Sequence, residues 1–203
     1  MNRRRLPFAV LIAVLLLLVA GGAALLWRQA HQPAPPGPLT GAAIGGAFAL
    51  TDQDGRRVTA ASFAGRYPLY YFGYTYCPDV CPIDVANIAR ALKLFAKSDP
   101  ARAARVQPVF VSVDPERDTP AVLKTWLAAF DSRFVGLTGS AAQVDAAKRS
   151  FKVFASRSGT AKDYLVSHSA VTYLFGPDGK PISFVESGAA PAVIAADLDR
   201  YVR

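Results

Sequence analysis

The apolar positions fall into two regimes. Residues 6–26 form one run without a charged residue, close to the ~20 apolar residues that a helix needs to cross a bilayer. Arg3, Arg4 and Arg5 precede the run, and Trp27 and Arg28 close it. Arginines favour the cytoplasmic side and tryptophan the interface. The pattern predicts a transmembrane helix with its N-terminus inside and the bulk of the chain outside. A cleaved signal peptide is the competing reading, but it would have a shorter apolar region ending in a small-x-small site. Leu25-Leu26-Trp27 is not such a site. Either reading exports the rest of the chain.

Beyond a spacer the pattern changes to short runs. His31-Gln32-Pro33-Ala34-Pro35-Pro36-Gly37-Pro38 carries four prolines and reads as a stiff, extended spacer. This predicts an anchor over 1–28, a linker over 29–43 and one domain over 44–203. Residues 48–50 and 56–59 flank an Asp54-Gly55 turn, as in a small hairpin. Residues 68–74 are a continuous apolar run that suits a strand buried on both faces. Helical spacing over 82–97 is carried by Ile83, Ala86, Ala89, Leu92 and Phe95. Pro82 reads as its first residue, with Cys81 at or near the N-cap. A strand over 106–113 follows, then a helix over 120–130 capped by Asp118-Thr119. Next come a short extended piece over 134–137 and an alanine-rich helix over 140–150. Residues 171–175 and 182–185 flank a Gly-Pro-Asp-Gly turn and read as an antiparallel hairpin. A helix over 191–201, with Val193, Ile194, Leu198 and Tyr201 inward, closes the chain. A parallel βαβ half followed by an antiparallel hairpin and a helix is an α/β, thioredoxin-like order.

Charge narrows the partners. The net charge is +8, but Arg3, Arg4, Arg5 and Arg28 lie in the first 28 residues, which carry no acid. The remainder holds 19 basic and 15 acidic residues. No dense basic stripe exists, so nucleic acid binding has no support. The modest excess fits a membrane surface or an acidic partner.

The chemistry concentrates in Cys77-Pro78-Asp79-Val80-Cys81, because these are the only two cysteines. Their spacing permits a metal clamp, a redox dithiol or both. Two cysteines and two histidines, His31 and His168, are too few for a usual four-ligand structural zinc site. A disulfide here would close a tiny loop and constrain little of the unfolded chain. In a thioredoxin-like order the segment 164–169 passes beside the cysteine loop, which brings His168 towards Cys77 and Cys81. Two thiolates and an imidazole suit Cu(I). A helix N-terminus at the loop favours thiolate. By default His31 is a spacer residue. Tyr70, Tyr71, Tyr74 and Tyr76 read as core and rim, and Asp114 and Asp118 as turn and cap residues.

Three separated motifs resemble the Sco (SenC/PrrC) family: residues 73–82 around the cysteines, Val113-Asp114-Pro115-Glu116-Arg117-Asp118-Thr119-Pro120, and residues 163–169 running on to 173–179. The resemblance covers about residues 44–201. It implies a membrane-anchored, thioredoxin-like copper chaperone, not a turnover enzyme, that assists assembly of the binuclear copper site of cytochrome c oxidase. It places the copper ligands on Cys77, Cys81 and His168, with copper as cargo, as Cu(I) and in the oxidised Cu(II) form. It places the family's Asp-Pro acid on Asp114, as a support of the site or a partner surface. The implied partners are the oxidase subunit carrying that site, a copper donor protein and the cytoplasmic membrane, with the domain on the periplasmic or extracytoplasmic side. Many members carry Asp immediately before the histidine; Ser167 stands here, which removes a supporting carboxylate and bears on Cu(II) more than Cu(I). A thiol–disulfide oxidoreductase that reduces the oxidase's copper-site cysteines, through a reversible Cys77–Cys81 disulfide, is the alternative. A thiol peroxidase has less support, since no arginine is singled out to activate one cysteine.

Overall fold

The computed structural model describes residues 5–30, 35–160 and 163–203; for 5–9, 26 and 28–30 it describes the backbone alone. His31 and the start of the spacer lie outside the described residues. The chain divides into two compact units, Met1–Ala34 and Pro35–Arg203. The first holds helix α1 (Arg5–Ala30). Among the described residues no helix is long and apolar enough to cross a membrane. Of the predicted span, residues 6–9 and 26 have no described side chains.

The second unit is built on a seven-stranded sheet in the order β2-β1-β5-β4-β3-β8-β9. Strands β1 (Ala49–Asp52) and β2 (Arg57–Thr59) form the expected hairpin at one edge. The centre is β3 (Tyr67–Gly73), β4 (Val106–Ser112) and β5 (Val135–Thr138), all parallel. Every residue of β3 and β4 is buried, as continuous apolar runs covered on both faces should be. Strands β8 (Val171–Phe175) and β9 (Pro181–Glu186) add the antiparallel hairpin on the other side of β3. Helices α2 (Val80–Ser98), α3 (Pro100–Ala103), α4 (Pro120–Ala128), α5 (Ala141–Phe151) and α6 (Pro191–Tyr201) complete the unit.

Three readings shift. Helix α2 begins at Val80 with Asp79 as N-cap, so Cys81 lies inside the first turn and Pro82 is the third helical residue. Proline is tolerated there because first-turn N–H groups have no intrahelical partner. The buried face of α2 is correspondingly Cys81, Val85, Ile88, Leu92 and Phe95, and Ile83 is 51% exposed. In α6 the inward set Ile194, Leu198 and Tyr201 holds, but Val193 is 57% exposed. Its position falls about a quarter-turn off that stripe.

A second, two-stranded sheet was not foreseen. It pairs β6 (Ala155–Gly159) with β7 (Tyr164–His168), antiparallel, with Ala155 opposite His168. Strand β6 is polar and mostly exposed, so it has no apolar alternation to betray it. This ribbon carries His168.

Candidate metal centre

Strand β3 ends at Gly73, and Tyr74, Thr75 and Tyr76 lead into the cysteine loop. Asp118 pins the loop from behind. Its carboxylate accepts from the Thr75 hydroxyl (2.6 Å) and N–H (3.2 Å) and from the Ser112 hydroxyl (2.6 Å). Burial raises its pKa against the lowering effect of those donors.

Cys77 takes the place of a capping side chain for α2. Asp79 makes no side-chain cap bond; the Cys81 N–H instead points at the Cys77 sulfur, 3.4 Å away. Partial burial opposes a Cys77 thiolate, but the N–H groups of Cys81, Asp79 and Val80 outweigh it and its pKa falls below the usual value. This is the anion-favouring end of a helix acting on sulfur. Cys81 is the opposite case. It is fully buried, and burial pushes its thiol up to about 12. Both cysteines are free.

His168 reaches Cys81 directly, with Nε2 3.3 Å from the sulfur. Its Nδ1 lies 3.2 Å from the Ser169 carbonyl oxygen. A carbonyl only accepts, so Nδ1 carries the proton and the Nε2 lone pair faces Cys81. Burial lowers the His168 pKa, opposed by the Ser169 carbonyl and by Asp84. The imidazole is therefore neutral at pH 7, as a metal ligand must be. Tyr74 stands edge-on to the imidazole, at a centroid distance of 5.8 Å.

Of the three expected ligands, the fold joins Cys81 to His168 and brings Cys77 to the backbone of Cys81. Among the described residues no three His, Cys, Asp or Glu side chains are drawn together as a metal-holding group. The donors nevertheless fit a soft monovalent ion. They comprise one thiol already biased towards thiolate, one neutral imidazole with a free lone pair, and a second thiol at that lone pair.

Asp114, expected either to support the site or to form a partner surface, is fully buried. It accepts from the Tyr164 hydroxyl (2.7 Å) and is paired with Arg117. Arg117 also donates to the Tyr164 carbonyl (3.0 Å). Its guanidinium lies over the rings of Tyr164 (3.7 Å), Tyr76 (4.8 Å) and Tyr74 (5.7 Å). Arg117 thus clamps the strand bearing His168 to the tyrosines flanking Cys77. Sequence reasoning left it unassigned, although it lies within the Asp-Pro motif. Its Nε donates to Asp114 and one terminal nitrogen to the Tyr164 carbonyl, while Nη2 is buried without a partner. Ser167 is exposed, on the face of β7 opposite the buried Tyr164 and Val166. An Asp at 167 would follow the same alternation outward, so the inner side of the site loses nothing by its absence.

Gly73 was also missed. An added Cβ would lie 2.8 Å from Tyr71 Cε1, 3.0 Å from the Cys81 sulfur and 3.2 Å from Phe110 Cε2. Only glycine leaves room for that sulfur.

Comparison with known proteins agrees with this architecture. The SCO1/SenC family pattern matches residues 37–203. The SCO2 homolog of Danio rerio, described as mitochondrial, is 36% identical over 200 residues, which cover 94% of this chain and 71% of that protein. The structure of Bradyrhizobium japonicum ScoI with copper bound superposes with a TM-score of 0.71 at 43% identity, covering 79% of this chain and all of that one. BsSco, described through a disulfide switch and as a member of the Sco family of cytochrome c oxidase assembly proteins, has a TM-score of 0.63 at 26% identity. It covers 83% of this chain and 97% of that one. The chain belongs to the SCO1/SenC family.

Proposed function

We propose that this chain is a copper chaperone, which takes Cu(I) on Cys77, Cys81 and His168 and passes it to the binuclear copper site of cytochrome c oxidase. The observation that carries the reading is the His168 Nε2 lone pair held 3.3 Å from the Cys81 sulfur by a ribbon clamped to the cysteine loop. Loading replaces the thiol protons of Cys81 and Cys77, which leave to solvent, Cys77 giving up its proton the more readily; His168 binds through its neutral Nε2. A copper-bound solved relative supports the cargo, and BsSco's described family supports the destination. Helix α1 is the anchor in this account, with Leu15, Leu16, Leu17 and Leu18 exposed along it. It holds the domain at the extracytoplasmic face, within reach of the oxidase subunit and a copper donor. The test is complementation in cells lacking the protein. Cys77→Ser, Cys81→Ser and His168→Ala should each leave the oxidase short of copper; full oxidase copper with any of them would refute the reading.

One observation favours a second role as a dithiol reductase. A half-exposed thiol with a lowered pKa beside a buried one with a raised pKa is the asymmetry of an attacking and a resolving cysteine. That role needs both cysteines and no histidine. Oxidase assembly that survives His168→Ala but fails in either cysteine variant would identify it.

A further inference from the structure

Among the described residues the Tyr71 hydroxyl, Arg117 Nη2 and Thr138 Oγ1 are buried without a hydrogen-bond partner, and the hydroxyl of Tyr71 is the one packed beside the Cys81 sulfur. Tyr71 is fully buried in β3, and its hydroxyl has no hydrogen-bond partner. Such a group costs stability unless something compensates for it. Its surroundings identify the missing partner. Tyr71 and Gly73 lie on the same face of the strand, and the ring edge of Tyr71 and the Cys81 sulfur crowd the same point above Gly73, at 2.8 and 3.0 Å. Asp84, one turn on from Cys81, also faces the ring. Its carboxylate is already engaged by the Ser187 hydroxyl (2.6 Å) and the Gly188 N–H (2.8 Å). Those bonds hold the Asp84 carboxylate in one place whether or not metal is present, so the sulfur is the neighbour whose acceptor capacity changes on metal loading.

In the apo protein that capacity is weak, because a thiol is a poor acceptor. A metal-bound thiolate is a strong one. We propose that Tyr71 is a positioning residue for the metal-loaded site: its hydroxyl, idle in the apo protein, donates to the Cys81 sulfur once that sulfur is a copper-bound thiolate. The inference rests on the copper-chaperone reading. Groups that hydrogen-bond a ligand from outside fix its orientation and tune its metal, and their loss costs about 10–100-fold in affinity. Here the donor is paid for in advance by the apo fold.

A hydroxyl idle in the apo protein affects metal affinity and not apo stability, whereas an ordinary packing role would move both together. Tyr71→Phe removes only the hydroxyl. The reduced full-length protein and the variant are titrated anaerobically with Cu(I) against a competing chelator, and the urea midpoint of each apo form is measured in parallel. The expected result is an affinity about tenfold lower or worse, with an apo midpoint unchanged or raised. Unchanged affinity overturns the proposal. Weakened affinity with a lowered apo midpoint overturns it too, since the hydroxyl would then have an apo partner. If the unaltered protein itself binds no Cu(I) tightly, the chaperone reading has failed, a result distinct from either of these.

Discussion

Gly73→Ala tests whether the packing around Cys81 is as close as the structure shows. Gly73 does not have a positive φ, so alanine suits the backbone. Alone, that change would stabilise the protein by ~0.4–1 kcal/mol by restricting the unfolded chain. The opposing effect is space. The new Cβ would stand 2.8 Å from Tyr71 Cε1, 3.0 Å from the Cys81 sulfur and 3.2 Å from Phe110 Cε2. Tyr71 and Phe110 are fully buried and tilted against each other at 6.1 Å, so neither ring has room to swing away. Overpacking of this kind costs ~1–3 kcal/mol. The net expectation is a loss of about 1–2 kcal/mol, and with an m-value of roughly 2 kcal/mol/M the urea midpoint falls by about 0.5–1 M. The displaced sulfur should also weaken Cu(I) binding. Chemical denaturation of the reduced apo protein gives the first quantity and chelator competition the second. A midpoint unchanged or raised, with undiminished affinity, would show that the sulfur is not confined as described.

Other expectations follow from the same geometry. Iodoacetamide at pH 7.5 should label Cys77 of the reduced protein and spare Cys81, as read by peptide mass spectrometry; preferential labelling of Cys81 would reverse the thiolate assignment. Because the Cys81 pKa rises from 9.0 to about 12 on folding, the unfolded chain loses this proton first. The associated stability is therefore complete below pH 9 and declines as pH rises from 9 towards 12, by at most about 4 kcal/mol. Anaerobic denaturation should show a shallower alkaline decline in Cys81→Ala than in the unaltered protein; identical declines would contradict it. Tyr164→Phe removes a donor from the buried Asp114 carboxylate and should cost ~1–3 kcal/mol, measured by urea unfolding. Arg117→Lys keeps the charge but loses the planar fork and the stacking on Tyr164 and Tyr76. Cu(I) affinity should fall while the fold survives, and an affinity equal to that of the unaltered protein would remove Arg117 from the clamp.

The central strands and the closing hairpin were legible because their apolar runs and Gly-containing turns are local signals. Cys77, Cys81 and His168 were legible because they are scarce residue types and the predicted order brings them to one end of the sheet. What escaped depends on distant partners. The β6–β7 ribbon is held by pairing and by Arg117, not by a core-facing stripe. The phase of α2 is set by the burial of Cys81, and Ile83 misled because an apolar residue beside a functional loop need not face the core. Tyr71 and Gly73 look like ordinary strand residues until the third dimension places both against one sulfur.

The most direct test of the central claim is an anaerobic Cu(I) titration of the reduced domain, residues 35–203, beside its His168→Ala variant, against a competing chelator. The account predicts one tightly held equivalent in the parent domain, and binding at least about tenfold weaker in the variant. Weak binding in the parent, or equal binding in both, would contradict a Cys77–Cys81–His168 copper site.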